Sequence, residues 1–122
     1  MEPVAILVRV DTGTMWQLPQ IENQTYGIGR STDNWVALPE EQFISRRHAV
    51  LQWQPGGHQL KVGRYANNGI SVNGRDTSQA IVQLTDFDTV QCANVRFRYL
   101  LGADAALRAA QVAQAATVAT KP

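Results

Sequence analysis

The sequence predicts an all-β protein folded as a sandwich of two sheets. Short apolar or alternating segments, about ten in number, occur at regular spacing along the chain. Turn-forming residues separate these segments, and no long amphipathic helix pattern occurs between them. The chain has 122 residues, of which 44% are hydrophobic, so it can bury the core of one domain.

The predicted strands are segments rich in β-branched and aromatic residues that end at glycine, proline or asparagine. They cover residues 4–10, 15–18, 26–30, 35–38, 48–53, 59–62, 70–72, 80–84, 89–92 and 95–101. Three turn sequences between them predict hairpins: Asp11-Thr12-Gly13, Pro55-Gly56-Gly57 and Asn73-Gly74.

The last twenty residues differ in composition, with nine alanines between positions 103 and 122. Alanine favours helix, but the larger apolar residues Leu107, Val112 and Val118 do not fall on one helical stripe. We therefore expect a folded domain over residues 1–102 and a flexible or partly helical tail over residues 103–122. A docked helix is the alternative.

Composition also limits the classes of function. The formal net charge is +1, which gives no basic field for nucleic acid. No apolar run reaches the roughly 20 residues of a membrane span, and no signal peptide opens the chain, so we expect a cytoplasmic protein. Cys92 is the only cysteine, which excludes an intrachain disulfide and a zinc site built from several cysteines. We expect no metal and no cofactor.

Three clusters lie where predicted strands begin or end, at residues 27–31, 45–48 and 67–74. Each combines small, conformationally permissive residues with arginine, hydroxyl or amide donors. Nine of the eleven basic residues are arginines, whose planar guanidinium matches carboxylate and phosphate groups. Loops at the end of a sheet scaffold commonly carry binding groups. The clusters therefore predict a site for an anion.

The same residues do not predict an enzyme. Gly27 and Gly29 lack the third glycine and the following helix of a dinucleotide-binding fingerprint. A triad of Ser45, His48 and Asp33 can be drawn, but the spacing of Ser45 and His48 does not imply contact between a nucleophile and a base.

In sequence order, the motifs are Gly29-Arg30, then Ser45-Arg46-Arg47-His48, then Asn68-Gly69, with Val72-Asn73-Gly74 following. This combination resembles the forkhead-associated (FHA) domain over residues 4–101. The resemblance implies eleven strands in two twisted antiparallel sheets. It also implies a signalling module that binds phosphothreonine peptides through loops at one end.

Carried over by position, the resemblance assigns the phosphate to Arg30 and Ser45, and the peptide main chain to Asn68. It assigns Arg46 to a phosphate oxygen or to the peptide backbone. Asn67 stands where the family usually has a threonine or serine hydroxyl, and Ile70 stands where threonine often follows Asn-Gly. The positions assigned to structural support are Gly29, His48, Gly69, Asn73 and Gly74.

The implied partner is a threonine-phosphorylated protein or peptide bound by a monomer, with no nucleic acid, membrane or catalysis involved. The alternative is a sandwich that acts as a scaffold or associates with itself independently of phosphate. The departures at Asn67 and Ile70 favour that alternative.

Overall fold

The computed structural model describes residues 4–63, 69–77 and 81–120. Within these ranges the chain forms eleven strands and one helix, which confirms the predicted all-β sandwich. The strands are β1 (Val4–Arg9), β2 (Met15–Leu18), β3 (Thr25–Gly29), β4 (Val36–Ala37), β5 (Ala49–Gln54), β6 (Gly57–Val62), β7 (Ile70–Val72), β8 (Arg75–Asp76), β9 (Ile81–Gln83), β10 (Thr89–Cys92) and β11 (Val95–Gly102), and the helix is α1 (Ala105–Thr120).

The strands form two sheets that pack face to face. The six-stranded sheet has the order β2-β1-β11-β10-β7-β8, and the five-stranded sheet has the order β4-β3-β5-β6-β9. Neighbouring strands pair antiparallel except for the short β3–β4 pair, which is parallel. The five-stranded sheet is therefore mixed, whereas the sequence predicted antiparallel sheets.

Alternation along β1 divides its side chains between two apolar clusters. Ala5 and Leu7 face the core between the sheets, while Ile6 and Val8 face outward. Because successive side chains of a strand point to opposite faces, both faces of β1 are apolar and both need cover. The opposing sheet covers the first face, and α1 covers the second.

Helix α1 packs on the outer face of the six-stranded sheet, against β1 and β11. Ala105 and Ala109 are fully buried there, and Val112 packs beside them. These positions, spaced four and three residues apart, form one face of a helix. The sequence favoured a flexible or partly helical tail because the larger apolar residues of this segment do not fall on one helical stripe. The packing face instead consists mainly of alanines, which let the helix approach the sheet closely.

A charged cluster anchors the start of α1. Arg108 donates to one carboxyl oxygen of Asp86 at 3.0 Å and forms an ion pair with the other, also at 3.0 Å. It also donates to one oxygen of Asp104 at 3.1 Å and to the Leu101 carbonyl at 3.2 Å. Burial on its own raises the pKa of Asp86, but the hydrogen bonds from the Leu101 N–H and from Arg108 lower it overall. Asp86 therefore stays ionised and joins the β9–β10 loop to α1. Over the described residues, α1 lacks the length and hydrophobicity that a membrane-crossing helix needs.

Two buried side chains that carry polar groups, His58 and Tyr99, contact each other in the core near the β5–β6 hairpin. The ring of His58 lies 2.8 Å from the Tyr99 hydroxyl through Nδ1 and 3.1 Å from the Pro19 carbonyl through Nε2. A carbonyl only accepts, so Nε2 carries the hydrogen and Nδ1 accepts from Tyr99. Desolvation by burial lowers the pKa of His58, and the bond to Pro19 opposes this only in part. His58 is therefore neutral in the folded protein.

We expect that ending the chain after Gly102 lowers the melting temperature. The change would expose Ile6, Val8 and Leu100, and burying such side chains stabilises a fold by about 1.5–3 kcal/mol each at most. A loss of even about 1 kcal/mol corresponds to about 4–8 °C for a domain of this size. A matched chain ending after Ala115, which keeps Ala105, Ala109 and Val112, should melt close to the full chain in thermal scans. Equal melting of all three chains would show that α1 does not contribute to stability.

We also expect acid to destabilise the protein through His58. Its folded-state pKa lies below the unfolded value of about 6.5, so the unfolded chain takes up a proton that the folded chain does not. The contribution is fully present above about pH 6.5 and is lost as the pH falls, by at most about 1.4 kcal/mol per pH unit. Urea unfolding from about pH 8 to about pH 5 should show a shallower acid loss for His58→Gln than for wild type. An identical pH profile for the two proteins would contradict this assignment.

Candidate functional site

The first two predicted clusters meet at the end of β3. Gly29 is the last residue of this strand, and the next residue, Arg30, donates its backbone N–H to the Ser45 carbonyl at 3.0 Å. Ser31 then donates to the Arg46 carbonyl at 3.2 Å. These backbone bonds hold Arg30, Ser45 and Arg46 side by side, although fifteen positions separate Arg30 from Ser45 in the sequence.

His48 uses all four of its polar groups to bind the strands and loops around it. Its backbone donates to the Ile28 carbonyl at 2.8 Å and accepts from Gly63 at 2.6 Å. Its ring accepts the Ser45 N–H at Nδ1, at 3.1 Å, and lies 2.7 Å from the Gly69 carbonyl at Nε2. Because that carbonyl only accepts, the hydrogen sits on Nε2. The ring is fully buried and joins the Ser45 segment to the start of β7.

Close approach explains the glycine before Arg30. A Cβ added at Gly29 would overlap the Arg46 carbonyl oxygen and come within 2.9 Å of Nδ2 of Asn34. Gly29 does not have a positive φ, so the close contact, and not the backbone conformation, requires glycine at this position.

Sequence reasoning missed Asn34, which it read only as part of a loop. The side chain is buried, and its Nδ2 donates to the Ser31 carbonyl at 2.8 Å and to the Arg46 carbonyl at 2.7 Å. An asparagine in a polar stretch usually means a solvated turn, so its spacing from Arg30 gave no signal of burial.

The arginines of the site differ in how their charge is used. Arg47 pairs with Asp33 at 2.6 Å, and both side chains are largely exposed. Hydrogen bonds from Ser31 and then from Arg47 lower the pKa of Asp33. Among the described residues, Arg30 and Arg46 take part in no ion pair. Arg30 is half-buried and Arg46 is exposed, so both guanidinium groups remain available to an anion.

The remaining predicted site residues fall into two groups. Asn67 and Asn68 lie outside the described residues. Asn73 and Gly74 form the β7–β8 turn, with φ of 52° and 83°, as expected of the predicted Asn-Gly hairpin. This turn lies at the far end of β7 from Gly69, and the three residues of β7 between them span about 10 Å. Asn73 there bonds Asp88 and the Thr89 N–H, both at 2.9 Å. Its support for the binding loops is therefore indirect.

The triad of Ser45, His48 and Asp33 does not form. Nδ1 of His48 accepts from the backbone of Ser45, Nε2 donates to Gly69, and the Asp33 carboxylate pairs with Arg47. The imidazole therefore has no nitrogen left to activate a hydroxyl. Within the described ranges, no group of three or more histidine, cysteine, aspartate or glutamate side chains is placed to hold a metal ion.

Replacing His48 with alanine should lower the free energy of unfolding by about 2–4 kcal/mol. The change leaves a cavity and removes the partners of Ser45 and Gly69. Arg47→Ala is the matched control from the neighbouring position. Its ion pair with Asp33 is exposed to solvent and should contribute little to stability. Urea unfolding measures both values, and a His48→Ala protein as stable as Arg47→Ala would contradict a supporting role.

Comparisons with known proteins place this geometry in a family. The family model described as FHA domain matches residues 26–92, which is more than half of the chain. A curated relative is an ABC transporter ATP-binding/permease protein of Mycobacterium tuberculosis. It is 40% identical over 68 residues, covering 56% of this chain and 7% of the transporter. The matched segment is therefore a small part of that protein.

Two solved structures have the same fold. One comes from a structural and functional analysis of phosphothreonine-dependent FHA domain interactions. It has 26% identity and a TM-score of 0.69, covering 80% of this chain and 95% of the other. The second is EmbR of Mycobacterium tuberculosis in complex with a low-affinity phosphopeptide, with 27% identity and a TM-score of 0.72. That match covers 82% of this chain and 25% of EmbR. With its family-model match, its sandwich fold and the convergence of Arg30, Ser45 and His48, the chain belongs to the FHA-domain family.

Proposed function

We propose that this chain binds threonine-phosphorylated segments of partner proteins through the loops that follow β3, precede β5 and precede β7. The observation that carries this proposal is the convergence of Arg30, Ser45 and Arg46 at one end of the sandwich, held there by backbone hydrogen bonds. The similar FHA structures, one with a phosphopeptide and one concerned with phosphothreonine-dependent interactions, support it.

The chemistry of the site fits a phosphate monoester. Such a group carries a charge near −2 at neutral pH and three strong acceptor oxygens. Arg30 and Arg46 offer guanidinium donors without a competing ion pair among the described residues, and charge-assisted bonds of this kind are the strong ones. Ser45 adds a hydroxyl from a half-buried position.

We assign the peptide main chain to Asn68, with Asn67 beside it, in line with the order of the family's motifs. A main-chain contact next to the phosphorylated residue would require the phosphate to lie close to the peptide backbone. Threonine and serine meet this condition, whereas the tyrosine ring holds its phosphate further out. The proposed module acts as a cytoplasmic monomer without catalysis, cofactor, nucleic acid or membrane.

Calorimetric titration with matched peptides tests the proposal. We expect a phosphothreonine peptide to bind most tightly, then its phosphoserine copy, then its phosphotyrosine copy, with no binding of the unphosphorylated peptide. The threonine methyl would add about 0.8 kcal/mol if it is buried, or roughly fourfold in affinity. Equal binding of all three phosphopeptides would indicate only a basic patch. Binding of none across a phosphothreonine library would favour the phosphate-independent scaffold.

The matched control for this titration compares two arginines. Arg30→Ala should weaken phosphothreonine binding by at least about tenfold, because a hydrogen bond to a charged group contributes about 1.5–3 kcal/mol. Arg96→Ala removes the same charge from an exposed position on β11 and should bind like wild type. Equal losses in the two variants would mean that Arg30 acts only through net charge.

A further inference from the structure

Asn34 is one of a few polar side chains buried within the described residues, with 9% of its surface exposed. Both neighbours of its amide nitrogen are carbonyl oxygens, those of Ser31 and Arg46, so the Nδ2 orientation follows from the chemistry of its partners. The Arg46 carbonyl accepts from Nδ2 of Asn34 at 2.7 Å and from the Ser31 N–H at 3.2 Å. The Ser31 carbonyl accepts from both the side chain and the backbone of Asn34.

These bonds connect the two segments that carry the arginines. Ser31 directly follows Arg30, and Asn34 bonds the carbonyl of Ser31 and that of Arg46 with the two hydrogens of one amide group. Removing that group would leave the Ser31 N–H bond as the link from the loop after β3 to Arg46, and the Arg30 N–H bond as the link to Ser45. Binding groups must be held to within about half an ångström to act together on one ligand.

We propose that Asn34 is a positioning residue of the phosphopeptide site, which sets the separation of Arg30 and Arg46 without contacting the ligand. The inference rests on the proposed function, since it concerns how tightly the same site holds a phosphate. It gives Asn34 a role in affinity that is separate from its contribution to stability.

Gly27 and Gly29 of β3 leave space for the Asn34 side chain. A Cβ at Gly27 would overlap Oδ1 of Asn34, and a Cβ at Gly29 would meet both its Nδ2 and the Arg46 carbonyl. The Gly-x-Gly spacing before Arg30 therefore provides the space in which the Asn34 amide lies. The Cβ of residue 34 is 3.7 Å from the position of a Gly27 methyl, an ordinary van der Waals contact. A methyl at position 27 would thus fit if residue 34 were alanine.

This geometry separates positioning from stability in one experiment. Asn34→Ala should weaken phosphothreonine-peptide binding by about tenfold in calorimetric titrations and lower the melting temperature. Gly27→Ala in the Asn34→Ala background refills the space and should recover part of the melting temperature, while affinity stays low. Gly27→Ala in the wild-type background should lower both, because it forces Asn34 from its place.

Tyr99→Phe is the matched control, since Tyr99 also bonds through a buried side chain but contacts His58 near the β5–β6 hairpin, at the far end of β5 from His48. It should lower the melting temperature and leave affinity unchanged. Recovery of affinity in step with stability in the Gly27→Ala/Asn34→Ala protein would overturn the proposal, as would wild-type affinity in Asn34→Ala. The wild type is titrated with the same peptide. If it does not bind, the proposed function fails and the role of Asn34 fails with it, whereas wild-type affinity in every variant overturns only the role of Asn34.

Discussion

The backbone and ring hydrogen bonds of one buried histidine determine how the binding end of the sandwich is assembled. His48 directly precedes β5. Its backbone bonds the Ile28 carbonyl of β3 and the Gly63 N–H after β6. Its ring bonds the Ser45 N–H, in the loop before β5, and the Gly69 carbonyl, before β7. These segments are far apart in the sequence, so no local turn could set their separation. A ring with one donor and one acceptor nitrogen satisfies both loops at once.

The arginines of the described residues fall into two groups, those that form ion pairs and those that do not. Arg9 pairs with Asp11 and Glu41, Arg47 with Asp33, and Arg108 with Asp86 and Asp104. Arg30 and Arg46 enter no such pair among the described residues, although they lie beside the close contact of Gly29 with the Arg46 carbonyl. Small residues supply the close packing, so the arginine side chains are not needed to hold the loops together. Their charge is available for binding because Gly29 and Asn34 supply the contacts that hold the loops together.

The sequence predicted the fold through features that are local. Alternation set the strands, and Asn73-Gly74 specified its hairpin because two residues with positive φ favour that pair. Asn34 could not be found in this way, since its partners are two backbone carbonyls that only the folded chain brings near it. The docking of α1 was only the less favoured alternative for a related reason. Alanines carry little hydrophobic signal, and their value lies in how closely they let the helix approach the sheet. The roles of Asn67 and Asn68 rest on the family resemblance, because both lie outside the described residues.

Both histidines of the chain, His48 and His58, are fully buried, so no imidazole faces the solvent. Histidine is the side chain whose ordinary charge change falls between about pH 5 and 8. The positive charge that the binding loops offer to a ligand therefore comes from arginine, which stays protonated across this range. A phosphate monoester, in contrast, loses its second proton near about pH 6. The protein would offer the same arginine charge to a phosphate of varying charge.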